Sequence, residues 1–334
     1  MKGTGQLGNR VTLRLPAPAK LNLCLHVTAR RADGYHELET LFQLLDFGDE
    51  IELQVTAQSG VRRIGDVAGV AEDDDLSVRA ARLLAAHCDC SAGARIKVYK
   101  RLPMGGGLGG GSSNAASVLV GLNQLWKLGL NEDELAGLGL RLGADVPVFV
   151  RGHSAFARGI GEELQALSLP EQWFVVLRPP VHVETAVIFA SPSLTRDTPH
   201  LKIAGFPGNL DTEDGLDSFW ARTRNDCEPV VRTLHPPVAA TLDWLAGHGP
   251  ARMSGTGACV FARMRSREAA EEVLEALWME SDPHAGGKAT GRLAPGGVEG
   301  FVARGVNRSP LVDAMQRAAQ GRAQGDGCAA PDGA

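Results

Sequence analysis

Near the start of the chain every second residue is apolar. Val11, Leu13 and Leu15 predict a first strand, and after Pro16 and Pro18 the run Lys20–Val27 predicts a cleaner one. Leu21, Leu23, Leu25 and Val27 fall on one face of that strand, and Lys20, Asn22, Cys24 and His26 on the other. Lys20 and Asn22 therefore project together, onto either a solvated sheet face or a site. Ala32–His36 reads as a turn, with strands following near Glu39–Leu45 and Glu50–Val55. The period then changes. Leu76, Ala80, Leu83 and Leu84 mark a helix that Asp75 can cap, at the end of the acidic loop Ala71–Asp75. Ile96, Val98 and Leu102 return to strand-like alternation, and Ala115, Val118, Leu119, Leu122, Leu125 and Trp126 form one face of a second helix. Asn131 and Glu134 have capping-box spacing for a third, reaching Leu142.

Strands are predicted at Ser154–Arg158 and Trp173–Leu177, parted by the turn-rich Gly159–Glu163. Residues 190–218, rich in Pro, Gly and Asp, predict an irregular excursion. Asn225-Asp226 opens a helix and another follows Pro237. The strand-like Ala251–Met253 and Cys259–Ala262 flank a short glycine turn, Ser254–Ala258. A helix over Glu268–Trp278, a Gly/Pro-rich loop over Asp282–Gly297 and a strand over Gly300–Val306 complete the pattern. Gly321–Ala334 is small and polar and is expected to be disordered.

Between the strand ending near Leu102 and the helix opening near Ala115 lies Pro103-Met-Gly-Gly-Gly-Leu-Gly-Gly-Gly-Ser-Ser113, with six glycines in eleven residues. Such a backbone can turn successive amides toward one anion, and a helix N-terminus behind it adds its dipole, so the stretch reads as a phosphate seat. Ser112 or Ser113 is the expected N-cap, and Gly107 and Gly110 are expected to resist a β-branched side chain. Gly105, Gly107 and Gly110 satisfy G-x-G-x-x-G, but the acidic partner of a dinucleotide fold should end a second strand, whereas Glu132, Asp133 and Glu134 begin a helix. The Walker pattern fails as well: in frame from Gly106 to Gly111, the lysine position holds Ser112.

The 334 residues suit two domains, 1–170 and 171–312, followed by a tail over 313–334. A formal charge of −5 without basic runs argues against nucleic acid as the main partner. No apolar run is long enough to span a bilayer, and Met1–Arg10 lacks the apolar segment of a signal peptide, so a cytoplasmic protein is expected. Six scattered cysteines, with only Cys88 and Cys90 close, predict reduced thiols and no zinc site. Three polar features keep two readings at this point. Asp145, in Gly143-Ala-Asp-Val-Pro-Val-Phe149, is either a helix cap or the partner of a cation, while the rings of Tyr35 and His36 either pack or stack a planar base.

Pro18–Leu23, Pro103–Ser113 and Ser254–Ala258, in this order, resemble the three motifs of the galactokinase, homoserine kinase, mevalonate kinase and phosphomevalonate kinase (GHMP) superfamily. Arg31–Leu38, Arg101–Asn114, Gly143–Phe149, Asn225–Cys227 and Gly305–Pro310 resemble most closely its branch acting on a cytidine-diphosphate-linked methylerythritol. The resemblance spans about residues 12–312. It implies an α+β fold, with an ATP-binding domain like ribosomal protein S5 domain 2 over 1–170, a GHMP-kinase C-terminal domain over 171–312, and the active site in the cleft between them. It implies transfer of the ATP γ-phosphoryl to the 2-hydroxyl of that acceptor, with Mg²⁺ bridging β and γ oxygens and no protein ligand for the metal assigned. It gives catalytic roles to Lys20 and Asp145. ATP binding falls to Lys100, Pro103, Met104, Gly105, Gly106, Gly107, Leu108, Gly109, Gly110, Gly111, Ser112 and Ser113. Acceptor binding falls to Asn22, Tyr35, His36 and Phe189. The implied partner is a small molecule, with no membrane and no nucleic acid, for a monomer or homodimer. Asp75 departs from the pattern, standing where close relatives usually carry asparagine near the adenine.

Overall fold

The computed structural model describes residues 12–202, 210–281 and 295–326; Val11 and most of the loop 282–297 lie outside this range. The first two strands, β1 (Thr12–Arg30) and β2 (His36–Thr56), form one long antiparallel hairpin that absorbs the four shorter strands predicted. Pro16 and Pro18 do not interrupt β1, because its ladder partner is β2 alone and a proline on an open edge forfeits no ladder bond. Bulges between Pro18 and Lys20, Asn22 and Leu25, and Val27 and Ala29 break the simple alternation. Thus Leu21, Leu23 and Cys24 enter one core cluster and Leu25 and Val27 another. The face carrying Lys20 and Asn22 is not solvated: both residues are 3% exposed.

β3 (Val61–Ile64), α1 (Leu76–His87), β4 (Gly93–Tyr99), α2 (Gly110–Leu125), α3 (Glu132–Leu140) and α4 (Val146–Arg151) follow. Then come β5 (Ala155–Arg158), β6 (Glu163–Ala166), β7 (Trp173–Arg178), α5 (Thr185–Ala190), α6 (Glu213–Arg222), α7 (Glu228–Leu234) and α8 (Pro236–Ala246). β8 (Ala251–Met253), β9 (Val260–Met264), α9 (Arg267–Ser281), β10 (Glu299–Val306) and α10 (Pro310–Asp326) end the described chain. Strands and helices combine into an α+β fold on one ten-stranded sheet, whose main path runs β3-β4-β2-β10-β7-β9-β8. β10 is the seam: its end pairs with Leu44 and Leu45 of β2, and its length pairs with β7.

One core cluster packs α1–α4 against β1, β2 and β4, and a second packs α7–α9 against β7–β9. The third lies where the halves meet, built from Leu21, Leu23, Phe156, Phe174, Phe219 and Phe261. It also takes in Leu102 and Leu108, so two leucines root the glycine stretch in the core.

Five expectations need correction. Residues 213–218 belong to helix α6 instead of the irregular excursion, because Thr212 caps it through the Gly215 amide and Leu216 is buried. Helix α2 starts at Gly110 behind Gly109, earlier than a serine cap would place it, because Gly109 adopts a left-handed φ of 71° that only glycine takes cheaply. Ser112 and Ser113 sit inside its first turn. Leu102 lies beyond the end of β4 as a core anchor. A short strand, β6, occupies part of the stretch after the Gly159 turn. Finally, residues 313–326 are helical where a tail was expected, because Ser309 Oγ accepts the Leu311 amide at the start of α10 and Leu311 is buried; 327–334 lie outside the described residues.

Candidate active site

The open edge of β1 is where the site is assembled. The Lys20 amide donates to the Leu108 carbonyl (3.0 Å), and Ser117 Oγ of α2 donates to the Pro16 carbonyl (2.9 Å). The Asn22 amide donates to Ser254 Oγ (3.2 Å), which itself donates to the Gly107 carbonyl (3.0 Å). The Cys259 amide donates to the Gly106 carbonyl (3.1 Å). Carbonyls of the glycine stretch are thus committed to β1 and to the second glycine turn, while the first amides of α2 have no partner within the helix. This division of donors and acceptors is what an anion seat requires.

Its glycines are not equivalent. A Cβ on Gly107 (φ 74°) would stand 2.2 Å from the Ser254 carbonyl oxygen, and one on Gly109 2.8 Å from the Phe149 ring. Gly110 has ordinary helical geometry, and its nearest neighbour would be Leu102 Cδ1 at 3.4 Å. Backbone contacts thus exclude even a Cβ at Gly107, while at Gly110 a Cβ meets only ordinary side-chain contacts.

Lys20 Nζ lies 2.5 Å from Asn22 Oδ1, 3.2 Å from Asp145 Oδ2 and 5.2 Å from the Phe42 ring centre. The Asn22 amide has one consistent orientation. Thr40 Oγ1 donates to the Cys24 carbonyl, so it accepts from Asn22 Nδ2 (2.9 Å) and leaves Oδ1 for the ammonium. Asp145 stands at the N-cap position of α4, yet its side chain makes no capping hydrogen bond; its partner is the cation. These residues line a cavity of about 300 Å³ whose wall also holds Gly107, Ser112, Phe189, Gly255 and Thr256.

A second cavity, of about 390 Å³, runs along the other side of the glycine stretch, lined by Pro103–Ser112 together with Asp75, Val98 and Lys100. Gly107 and Ser112 belong to both walls. Lys100 Nζ lies 2.5 Å from Asp49 Oδ2, and Asp49 Oδ1 accepts the amides of Arg101 (2.7 Å) and Leu102 (2.8 Å). One buried carboxylate therefore fixes both the cation and the entry to the glycine stretch. Asp75 caps α1 through the Ser77 amide and binds Arg63 at 2.9 Å, so the departure from asparagine is matched by a buried guanidinium.

The aromatic candidates divide. Tyr35, in the hairpin turn between β1 and β2, is 62% exposed and is absent from the cavity wall. His36 is buried and stacks on Phe189, with ring centres 5.1 Å apart, and Phe189 reaches the acceptor-side cavity. Ser113 Oγ is buried, with no hydrogen-bond partner among the described residues. Sequence patterns gave no sign of Asp49 or Thr40 as supports, because each acts through contacts made only on folding. For Ser254 the flanking glycines were the available signal.

Among the described residues no cluster of three or more His, Cys, Asp or Glu side chains forms a ready metal site. No helix among them is long and apolar enough to cross a membrane. The described cysteines are free, and burial pushes the thiols of Cys24, Cys227 and Cys259 up to about 12, away from reactivity.

Comparison with known proteins agrees with this geometry. Residues 75–153 match the GHMP kinases N terminal domain and residues 211–280 match GHMP kinases C terminal. The chain is 51% identical over 302 residues to a 4-diphosphocytidyl-2-C-methyl-D-erythritol kinase of Marinobacter nauticus, covering 90% of this chain and 96% of that one. It is 50% identical over 298 residues to the protein of that name from Thiobacillus denitrificans, covering 89% and 97%. A crystal structure of 4-(cytidine 5'-diphospho)-2C-methyl-D-erythritol kinase superposes with a TM-score of 0.70 at 30% identity, covering 88% of this chain and all of that one. A homoserine kinase from Cytophaga hutchinsonii, at 18% identity and a TM-score of 0.62, shares the fold.

Proposed function

Since the chain belongs to the GHMP kinases, and among them to the 4-diphosphocytidyl-2-C-methyl-D-erythritol kinases, we propose that it transfers the ATP γ-phosphoryl to the 2-hydroxyl of 4-diphosphocytidyl-2-C-methyl-D-erythritol, in the non-mevalonate route to isoprenoid precursors. The observation that carries the proposal is the ion pair of Lys20 and Asp145 in a cavity sharing Gly107 and Ser112 with the cavity of the glycine stretch. Donor phosphates held by the stretch and an acceptor hydroxyl beside Asp145 would then meet at that shared wall.

In this reading Lys100 and residues 103–113 bind ATP, Asp145 accepts the hydroxyl proton, and Lys20 holds the carboxylate in place and offsets charge on the transferring group. Phosphoryl transfer asks for alignment and electrostatic stabilisation more than for a strong base. Asn22 borders the polyol. Phe189, backed by the stacked His36, borders the base, and Tyr35 contributes an exposed ring on which a pyrimidine can stack. Magnesium suits a site with a single carboxylate, because it takes most of its ligands from nucleotide phosphates and water. Ser112, on the wall the two cavities share, is the side chain that would hold it, and it would neutralise charge on the phosphates. The enzyme is read as a cytoplasmic monomer or homodimer with neither nucleic acid nor membrane as partner.

The test is a panel: ATP consumption with the cytidylated acceptor, mevalonate and homoserine, for wild type, Asp145→Asn and Lys20→Ala. Turnover with the cytidylated acceptor alone is expected, falling by at least about a hundredfold in both variants, the range of an acid–base group. ATP affinity and melting temperature should stay near wild type. A variant that melts earlier but turns over normally would reduce Asp145 to a structural residue.

A further inference from the structure

Arg196 lies outside every motif of the chain, yet its guanidinium ties His36 to the backbone of Phe189, which lines the acceptor-side cavity. Its Nε donates to His36 Nε2 at 3.0 Å, Nη1 to the Leu194 carbonyl at 3.1 Å, and Nη2 to the carbonyls of Phe189 (2.8 Å) and Ser191 (2.7 Å). One planar fork thus holds the end of α5, the chain leaving it and the His36 ring. No carboxylate among the described residues pairs with Arg196. Its hydrogen-bonding capacity goes to these carbonyls and to the imidazole.

The contact with His36 has a chemical consequence. A guanidinium N–H only donates, so Nε2 must present its lone pair. A neutral imidazole has one donor and one acceptor nitrogen, so the proton resides on Nδ1. Arg196 donates to the ring, and Arg30 of β1 is paired with His36 across the hairpin. Burial, followed by these two charges, holds the His36 imidazolium below the ordinary histidine range. The same fork donates to the Phe189 carbonyl, so one guanidinium is bonded to both residues of the stacked pair.

We propose that Arg196 is a positioning residue for acceptor specificity, fixing His36 as a neutral Nδ1–H donor for an acceptor atom of the pyrimidine and holding Phe189 against it. The proposal rests on the acceptor named above. A cationic histidine would have two donors and no acceptor, and the Nε2–H tautomer would present a lone pair where the base needs a proton. Either would weaken a carbonyl-bearing pyrimidine.

The test has two arms. In the first, ¹⁵N-histidine spectra of the wild-type enzyme report the tautomer directly, without any substitution. The Nδ1–H form should dominate from about pH 7 to about pH 8. An Nε2–H form, a mixture, or a protonated ring in that range overturns the proposal. In the second arm, steady-state kinetics compare wild type with Arg196→Ala and Arg196→Gln. The acceptor KM should rise about tenfold, the equivalent of one hydrogen bond, with the KM for ATP within about twofold. The sign of the pH effect follows from the charges: without the Arg196 charge, His36 protonates more readily. The variants' acceptor KM should therefore climb more steeply than the wild-type value as pH falls from about 8 to about 6. An unchanged acceptor KM, or parallel losses for ATP and acceptor with a lower melting temperature, overturns the positioning role. If wild type ignores the cytidylated acceptor and phosphorylates another alcohol, the functional reading fails instead, and the kinetic panel reports that separately.

Discussion

At the scale of single residues, space decides which parts of the glycine stretch are replaceable. Gly107 combines a left-handed φ with a backbone oxygen 2.2 Å from any added Cβ. Gly107→Ala should therefore cost roughly 1–3 kcal/mol of stability from the strained backbone alone, with weaker ATP binding as the second turn is pushed aside. Gly110→Ala should change stability by no more than about 1 kcal/mol, since it adds a better helix former at an open position. Denaturant titrations with and without ATP separate the two; equal tolerance at both positions would refute the division. The polar residues were legible in the sequence to the extent that neighbours in the chain specify them. Lys20 and Asn22 share a face at a spacing of two, and the structure joins them. Asp145 stood out as an acid among apolar residues, but its cation lies 125 positions earlier. Asp49 was illegible: only folding brings Lys100 and the amides of Arg101 and Leu102 to it.

At the scale of elements, helix α1 carries a second opportunity. Asp75 both caps it and neutralises Arg63, with the two side chains 9% and 6% exposed. Asparagine would keep the cap, because its Oδ1 can accept from Ser77, but would leave a buried guanidinium without its counter-charge. Asp75→Asn should cost roughly 3–5 kcal/mol in chemical denaturation, and Asp75→Asn combined with Arg63→Met should recover most of it. An asparagine variant as stable as wild type would show that the pair contributes nothing. Most elements were visible in the hydrophobic period because one face of each is buried on its own helix or strand spacing. Those misplaced involve geometry that period does not encode. Prolines in β1 suggested a break, but an edge strand has no bond there to lose. Glycine before α2 suggested loop, but a left-handed Gly109 lets the helix begin beneath the phosphate seat.

At the scale of the whole molecule, β10 joins β2 to β7 and makes the two halves one sheet, and the third core cluster fills the junction behind the site. The described strands behind both walls of the cleft belong to this one sheet, so ligand binding should leave the radius of gyration from X-ray scattering unchanged within error when ATP analogue and acceptor are added together. A measurable contraction would mean that the seam yields. The α+β class and the cleft were legible through order of motifs; the continuity of the sheet was not, because the β10–β2 pairing links positions about 260 apart in the chain. That Gly107 and Ser112 line both cavities has a consequence for inhibitor chemistry. A single tethered molecule, with a purine end and a pyrimidine end joined through a short polyphosphate, would find both subsites already at their working separation. Its second end would bind at the high local concentration that a short linker confers, without drawing on its own affinity to rearrange the protein.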